Sequence, residues 1–145
     1  MAEGKRASDR NKDLMRRFYD EVANQGNLDL IDELFTEDFV EHEEFPGLTR
    51  DREGVKQFFA MFRAAFPDAT FTVENVVAEG DLAVANVMVS GTHQGEFLGV
   101  PPTGKPIEAR EIDVVRFRDD RATEHWGVFD AMGLMMQIGA LPEPA

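Results

Sequence analysis

The chain has 145 residues, of which 43% are hydrophobic and 30% charged, and its 28 Asp and Glu against 15 Lys and Arg give a formal net charge of -13. This length predicts one domain with a substantial core. The negative charge argues against a nucleic-acid backbone or an anionic membrane surface, and we expect neither as a partner. The sequence contains no Cys, which excludes disulfides, thiol nucleophiles and Cys-ligated metal centres.

The ends of the chain carry no apolar targeting or anchoring segment. The first six residues are mostly polar or charged, and no apolar run approaches the ~18 residues that a membrane span needs. We therefore expect a soluble cytoplasmic protein. A single domain should cover residues 1–145, with loose ends at about 1–9 and 141–145.

The first half of the chain has apolar residues at helical spacing. Helices are expected over 10–26, 28–35 and 51–66. Asp51 is placed to begin the third helix. Between the second and third helices, residues 36–47 are mostly polar and are expected to lead into a loop. The expected helices thus precede any strand.

The third helix carries a stripe of aromatic side chains. Phe58, Phe59, Phe62 and Phe66 recur every three or four residues, which places them on one face. Packing against a sheet is the more frequent use of such a stripe. We expect most of it to be core, with Phe58 and Phe62 facing a ligand pocket.

The second half of the chain changes to a period of two, which is typical of strands. The expected strands are 70–79, 82–93, 107–118 and 122–129, followed by a last helix over 131–138. The Gly- and Pro-rich segment 94–106 is expected to be a loop. Helices followed by an antiparallel meander predict an α+β fold.

The strand over 107–118 carries two acidic residues on its more apolar face. Alternation places Glu111 and Asp113 beside Ile107, Ala109 and Val115. Burial and mutual repulsion would raise the pKa of both acids, as in a group tuned for proton transfer. The alternative is a partly solvated face or a structural ion pair with Arg.

A histidine on the neighbouring strand adds to this pattern. His125 shares a face with Gly127 and Phe129, so it can stand near Glu111 or Asp113. An imidazole beside a carboxylate is a competent proton-transfer pair. A lone His is more often a satisfied core or surface residue, and that alternative stays open.

Other chemistries are disfavoured. His42 lies in an acidic loop without a second His at a matching offset, so we expect no metal site and place His42 at a pocket mouth. The sequence has no nucleotide-binding Gly motif and no Ser-centred nucleophile elbow. Neither Lys56 nor Lys105 lies on an apolar strand face, which disfavours Schiff-base chemistry. Proton transfer without a cofactor is the chemistry that remains.

Three segments resemble a known family. Residues 91–104 (GTHQGEFLGVPPTG), 112–117 (IDVVRF) and 124–130 (EHWGVFD), with the order of elements, resemble the SnoaL-like polyketide cyclase (ester cyclase) family of the NTF2-like superfamily. The resemblance covers about residues 11–141. It implies a cone-shaped α+β barrel, in which a curved antiparallel sheet and the N-terminal helices surround a deep pocket, and it implies a homodimer.

The resemblance also implies an activity. Cyclases of this family close a ring of a polyketide methyl ester by a cofactor-independent intramolecular aldol condensation. The family's His position falls on His125, but its catalytic Asp position falls on Gly127. Two further pocket positions fall on Glu111 and Asp113. The acid/base role has therefore moved across the sheet, or the chain is a family member with another function.

We expect Asp113 to act as the catalytic base, assisted by His125 and Glu111, on an apolar, oxygenated small molecule and without a cofactor. The reaction is an aldol cyclisation or a related enolisation. The alternatives are a non-catalytic small-molecule-binding module and an epoxide hydrolase or isomerase on the same fold; a purely structural dimerisation domain is weaker. The expected substrate contacts are His42, Phe58, Phe62, Trp126, Phe129 and Asp130.

Overall fold

The computed structural model describes residues 4–142. The expected loose ends lie partly outside this range, since residues 1–3 and 143–145 are not among those described. At the N-terminal side the expectation is corrected, because helix α1 (Ala7–Arg17) begins within the segment expected to be loose. Within residues 4–142, no helix combines the length and the apolar composition needed to cross a bilayer.

The first expected helix is confirmed, but its second half is wider than an α-helix. Helix α1 continues without a break into a π-helix over Phe18–Asn24. The segment ends at Gly26, whose φ of 78° is a backbone conformation that favours glycine. Met15, Tyr19 and Val22 are buried along the inner side. The wide turn therefore lies within the part of the helix that faces the core.

The helix expected over 28–35 is only partly correct, and the polar segment after it is a strand. A 3₁₀ turn (Leu28–Leu30) and a single α-helical turn, α2 (Ile31–Leu34), lead directly into strand β1 (Phe35–Glu41). The expected loop over 36–47 is thus wrong for its first half. The register of β1 shifts between Phe35 and Val40, so the inward and outward alternation of a strand is regular only from Phe39 onward.

The third helix and the meander follow the expectation closely. Asp51 caps helix α3 (Arg52–Ala65) by accepting a hydrogen bond from the Gly54 amide at 3.0 Å. The remaining elements are β2 (Thr70–Glu79), β3 (Leu82–Thr92), β4 (Pro106–Arg118), β5 (Arg121–Phe129) and α4 (Ala131–Gln137).

The five strands form one curved sheet in the order β1-β5-β4-β3-β2. Strands β2 to β5 pair antiparallel, as expected, whereas β1 pairs parallel with β5, so the sheet is mixed. The inner face packs against α1, the π-helix and α3 through a core that includes Phe62, Phe66 and Val87. This α+β arrangement leaves a cavity between the helices and the inner face of the sheet, and the candidate site lies there.

Candidate functional site

The inner face of the sheet and the helices enclose a cavity of about 330 Å³. Its walls are largely apolar, and Phe58, Phe62 and Phe129 are among the lining residues, as expected from the sequence. The polar groups are concentrated on one side of the cavity. The acidic and basic side chains among the lining residues are Glu41, Glu43, Glu44, Arg50, Glu111, Asp113 and His125.

Asp113 lies at the floor of this cavity and is 6% exposed. The Tyr19 hydroxyl donates a short hydrogen bond to Asp113 Oδ2, and His125 Nε2 lies 2.6 Å from Asp113 Oδ1. Burial alone would raise the pKa of Asp113, but the hydrogen bond and charge of His125, with hydrogen bonds from Glu111 and Tyr19, lower it below its usual value. Asp113 is therefore ionised at neutral pH although it is buried.

His125 bridges two carboxylates. Its Nε2 faces Asp113 and its Nδ1 lies 2.6 Å from Glu41 Oε1, so both ring nitrogens donate and the ring is an imidazolium. Burial acts to lower the pKa of His125, but the hydrogen bonds to Asp113 and Glu41, together with their charges, raise it to about 10. The parallel pairing of β1 with β5 supplies this arrangement, because it places Glu41 directly beside His125 in the register.

Glu111 and Glu43 form a second acidic group above Gly127. Burial, followed by the charge of Asp113, raises the pKa of Glu111 to about 12, and burial also raises the pKa of Glu43. The register sets Gly127 opposite Asp113. A Cβ atom at Gly127 would collide with Glu43 Oε2 and lie 2.8 Å from Glu111 Oε1. The absent side chain at Gly127 thus makes room for two carboxyl groups.

The same residues are close enough together to be considered for a metal ion. Glu43, Glu111, Asp113 and His125 each offer an atom within 4.8 Å of the others. However, both His125 nitrogens lie 2.6 Å from carboxylate oxygens, and as an imidazolium the ring has no lone pair for a metal. We therefore do not assign these residues as metal ligands.

Three expected substrate contacts lie outside the cavity, which corrects the sequence-based placement. His42 and Trp126 stack on the outer face of the sheet, with ring centroids 4.8 Å apart and planes inclined by 7°. His42 Nε2 also lies 2.9 Å from Glu124, so His42 is not at the pocket mouth. Asp130 is exposed and caps α4 by accepting from the Gly133 amide at 2.9 Å. Strand alternation explains the positions of His42 and Trp126. Trp126, and Glu124 which contacts His42, lie on the opposite face of β5 from His125.

Tyr19, Glu41 and Glu43 belong to the polar group around Asp113 and His125 but are absent from the sequence-based site. Tyr19 was hidden in a helix pattern dominated by aliphatic and charged residues, and Glu41 and Glu43 lie in the segment expected to be a loop. A signal for the latter exists in the sequence. Phe39, Glu41 and Glu43 alternate with exposed residues and face the interior together, which is the period of a strand.

The comparisons with known proteins agree with this architecture. A family model described as SnoaL-like polyketide cyclase matches residues 13–138. The chain belongs to the SnoaL-like polyketide cyclase family. Nogalonic acid methyl ester cyclase of Streptomyces nogalater is 25% identical over 122 residues, which cover 80% of this chain and 88% of that protein.

Solved structures show that the similarity covers nearly the whole chain. TsrD from Streptomyces laurentii superposes with a TM-score of 0.83 and 29% identity, over 96% of this chain and 100% of that one. IdmH from Streptomyces antibioticus gives a TM-score of 0.78 and 38% identity, over 89% of this chain and 98% of that one. The α+β barrel expected from the sequence, with its NTF2-like arrangement of helices and curved sheet, is thereby confirmed.

Proposed function

We propose that this SnoaL-like protein is a cofactor-independent acid/base catalyst that cyclises an apolar, oxygenated small molecule by intramolecular aldol addition. The observation that carries the proposal is the buried Asp113 carboxyl group in the wall of an apolar cavity, held by Tyr19 and His125. Such a carboxylate is fixed in place and shielded from water, as a positioned base requires.

In the proposed step, Asp113 takes a proton from a carbon that lies between two carbonyl groups. The resulting enolate carbon forms a bond to a ketone carbon of the same molecule, and the ketone oxygen then takes up a proton. No atom is lost and no electron acceptor is needed. Because the enolate of a β-keto ester is delocalised, the step needs little more than a positioned base in a cavity that excludes water.

The remaining residues have supporting roles in the proposal. His125 stabilises the Asp113 carboxylate and fixes its orientation, while Glu111 lies beside the base as an assisting carboxyl group. Phe58, Phe62 and Phe129 would contact the rings of the substrate. A cavity of about 330 Å³ lies within the range of small-molecule sites. The named relative acts on a methyl ester, which supports an ester as the first substrate to test.

The experiment compares the wild type with Asp113→Asn on an anthraquinone-type β-keto methyl ester, followed by absorbance. We expect turnover by the wild type and a loss of about 100-fold or more in the variant, with ring binding retained in calorimetry. Glu108→Gln on the outer face of the same strand is the matched control and should keep full turnover. An active Asp113→Asn protein would remove Asp113 from the role of base, and binding without turnover by the wild type would assign a binding protein.

We also propose that the protein is a cytoplasmic homodimer that pairs through the outer face of the sheet. Val77, Val84 and Val114 lie side by side in the register, and Val128 lies beside Ile112. Val77 and Val128 are 63% and 75% exposed, which leaves an apolar band on a face otherwise edged by ion pairs.

The oligomeric state is tested by light scattering after size exclusion. The wild type should have twice the mass of one chain, and Val128→Glu should be a monomer that still unfolds cooperatively. The matched control is Leu98→Glu, which places the same charge on an exposed loop residue away from the band. A monomeric wild type, or a dimeric Val128→Glu, would contradict this interface.

A further inference from the structure

The inner face of β5 has a gap between two inward side chains. His125 and Phe129 line the cavity, and Gly127 lies between them without a side chain. Glu43, from the segment that follows β1, and Glu111, from β4, reach into this gap from opposite sides. Two acidic residues from different parts of the chain therefore converge on one point of the cavity wall.

The positive charge near this point is already engaged by other carboxylates. Asp113 and Glu41 share the His125 imidazolium between them, and the Tyr19 hydroxyl is directed at Asp113. The nearest positive groups to Glu43 are His125 Nδ1, at 4.0 Å, and otherwise Arg50, which is largely exposed and pairs with Glu44. Two ionised carboxylates that both reach into the gap at Gly127 would repel each other. One proton shared between them instead forms a hydrogen bond.

We propose that Glu43 and Glu111 form a carboxyl pair that holds one proton above Gly127, and that this pair is the proton donor to the substrate oxygen. Burial, followed by the charge and hydrogen bond of Asp113, raises the pKa of Glu111 to about 12, and the charge and hydrogen bond of Glu43 add to this rise. Glu111 carries the proton and faces the substrate. Glu43 acts through Glu111 and is a positioning residue.

The inference rests on the proposed function for its chemical step. Asp113 takes the proton from carbon, and Glu111 gives its proton to the oxygen that becomes the product hydroxyl. Asp113 is then protonated and Glu111 is ionised. Since these two side chains also contact each other, the proton passes from Asp113 to Glu111 and restores the starting state. The cycle neither consumes nor releases a proton.

The pair itself is tested without turnover. Carbon-detected NMR of protein labelled at the Glu carboxyl carbons follows each titration in the wild type, Glu43→Gln, Glu111→Gln and Glu108→Gln. In the wild type one carboxyl of the pair should stay protonated well above neutral pH. Glu43→Gln should lower the pH at which Glu111 ionises, because it removes the neighbouring negative charge, and Glu108→Gln should leave it unchanged. Ordinary titration of both Glu43 and Glu111 in the wild type would overturn the inference.

The role of the pair is tested by the pH dependence of turnover. Glu111→Gln should reduce turnover by about 100-fold, the size of a general-acid contribution. In Glu43→Gln, the decline of turnover at high pH should begin at a pH lower by about one unit or more. A merely structural role of Glu43 would not produce this shift. Glu108→Gln should keep the wild-type profile.

The two proposals fail in different ways. If Asp113→Asn abolishes turnover but the alkaline limb of Glu43→Gln does not move, the donor role is wrong and the proposed function stands. If the wild type turns over no β-keto ester while NMR finds the shared proton, the proposed function and the donor role are wrong and the pair stands. Gly127→Ala adds a geometric check, because its methyl group should displace the pair and lower the pH at which Glu111 ionises in a protein that still melts cooperatively.

Discussion

The hydroxyl of Tyr19 donates to the carboxylate of Asp113, so a helical residue near the start of the chain and a strand residue near its end meet at the cavity floor. Tyr19 is 4% exposed and its pKa is raised well above the usual value by burial and by the charge of Asp113. It therefore stays a hydrogen-bond donor at every pH at which the protein is studied.

Tyr19→Phe keeps the ring and removes this donor. Because the hydrogen bond lowers the pKa of Asp113, its loss should raise that pKa and move the acid limb of the turnover profile to higher pH. The buried carboxylate also loses a partner, so we expect the free energy of unfolding to fall by about 1–3 kcal/mol. Denaturant unfolding and a pH–rate profile measure both effects. An acid limb at its wild-type position would show that Tyr19 does not tune Asp113.

The His125 bridge predicts a pH dependence of stability. Its pKa of about 10 in the folded protein exceeds the usual 6.5, so the stabilisation is complete below about pH 6.5 and is lost as the pH rises towards 10. Urea unfolding across this range should show the decline. The decline should become shallower in His125→Asn, where only the part due to Glu111 remains, and should be unchanged in His42→Asn, whose ring lies on the outer face. A stability that is flat across the range in the wild type would contradict the imidazolium bridge.

Replacing Glu111 should make the protein more stable at neutral pH. Its raised pKa means that folding at neutral pH requires Glu111 to take up a proton, which costs stability above its usual pKa of 4.5. Glu111→Gln carries no such cost, so its melting temperature should be higher, by about 2–4 °C for each kcal/mol gained. The gain should disappear when both proteins are melted below pH 4.5. A variant that melts at a lower temperature at neutral pH would show that Glu111 is ionised.

Two phenylalanines of α3 should separate ligand binding from stability. Phe62 is 1% exposed and contacts several core rings, so Phe62→Ala should cost about 3–5 kcal/mol of unfolding free energy. Phe58 is only half-buried at the cavity wall, so Phe58→Ala should cost less and mainly weaken ring binding. Calorimetry with a hydroxyanthraquinone, beside thermal melts, measures both. Equal losses of stability in the two variants would contradict this division.

Strand alternation predicted the half of the site that lies on β4 and β5. Glu111, Asp113 and His125 share one face by parity, and the antiparallel pairing of consecutive strands is local enough to be inferred from the turn between them. The same parity assigned Trp126 to the outer face, and its expected substrate contact conflicted with that pattern. Alternation was the more reliable guide.

The other half of the site depends on contacts that the sequence pattern does not contain. Glu41 reaches His125 only because β1 pairs parallel with β5, a pairing between segments more than 80 residues apart with a register shift inside it. Tyr19 reaches Asp113 through a π-helix, which has no distinct period in a sequence of this length. Burial is expected to raise the pKa of Asp113, but the hydrogen bond and charge of His125, with hydrogen bonds from Glu111 and Tyr19, lower it, and of these partners only Tyr19 was not predicted from the sequence.

The π-helix of Phe18–Asn24 has a consequence for how the chain length can vary. A π-type bulge accommodates one residue more than regular α-helix does, so deleting one residue would restore α-helical geometry and rotate one side of the helix by about 100° against the other. Either Tyr19 would leave Asp113 or Val22 would leave the core. The spacing between α1 and Gly26 therefore fixes the hydroxyl of Tyr19 and the side chain of Val22 in their places at the same time.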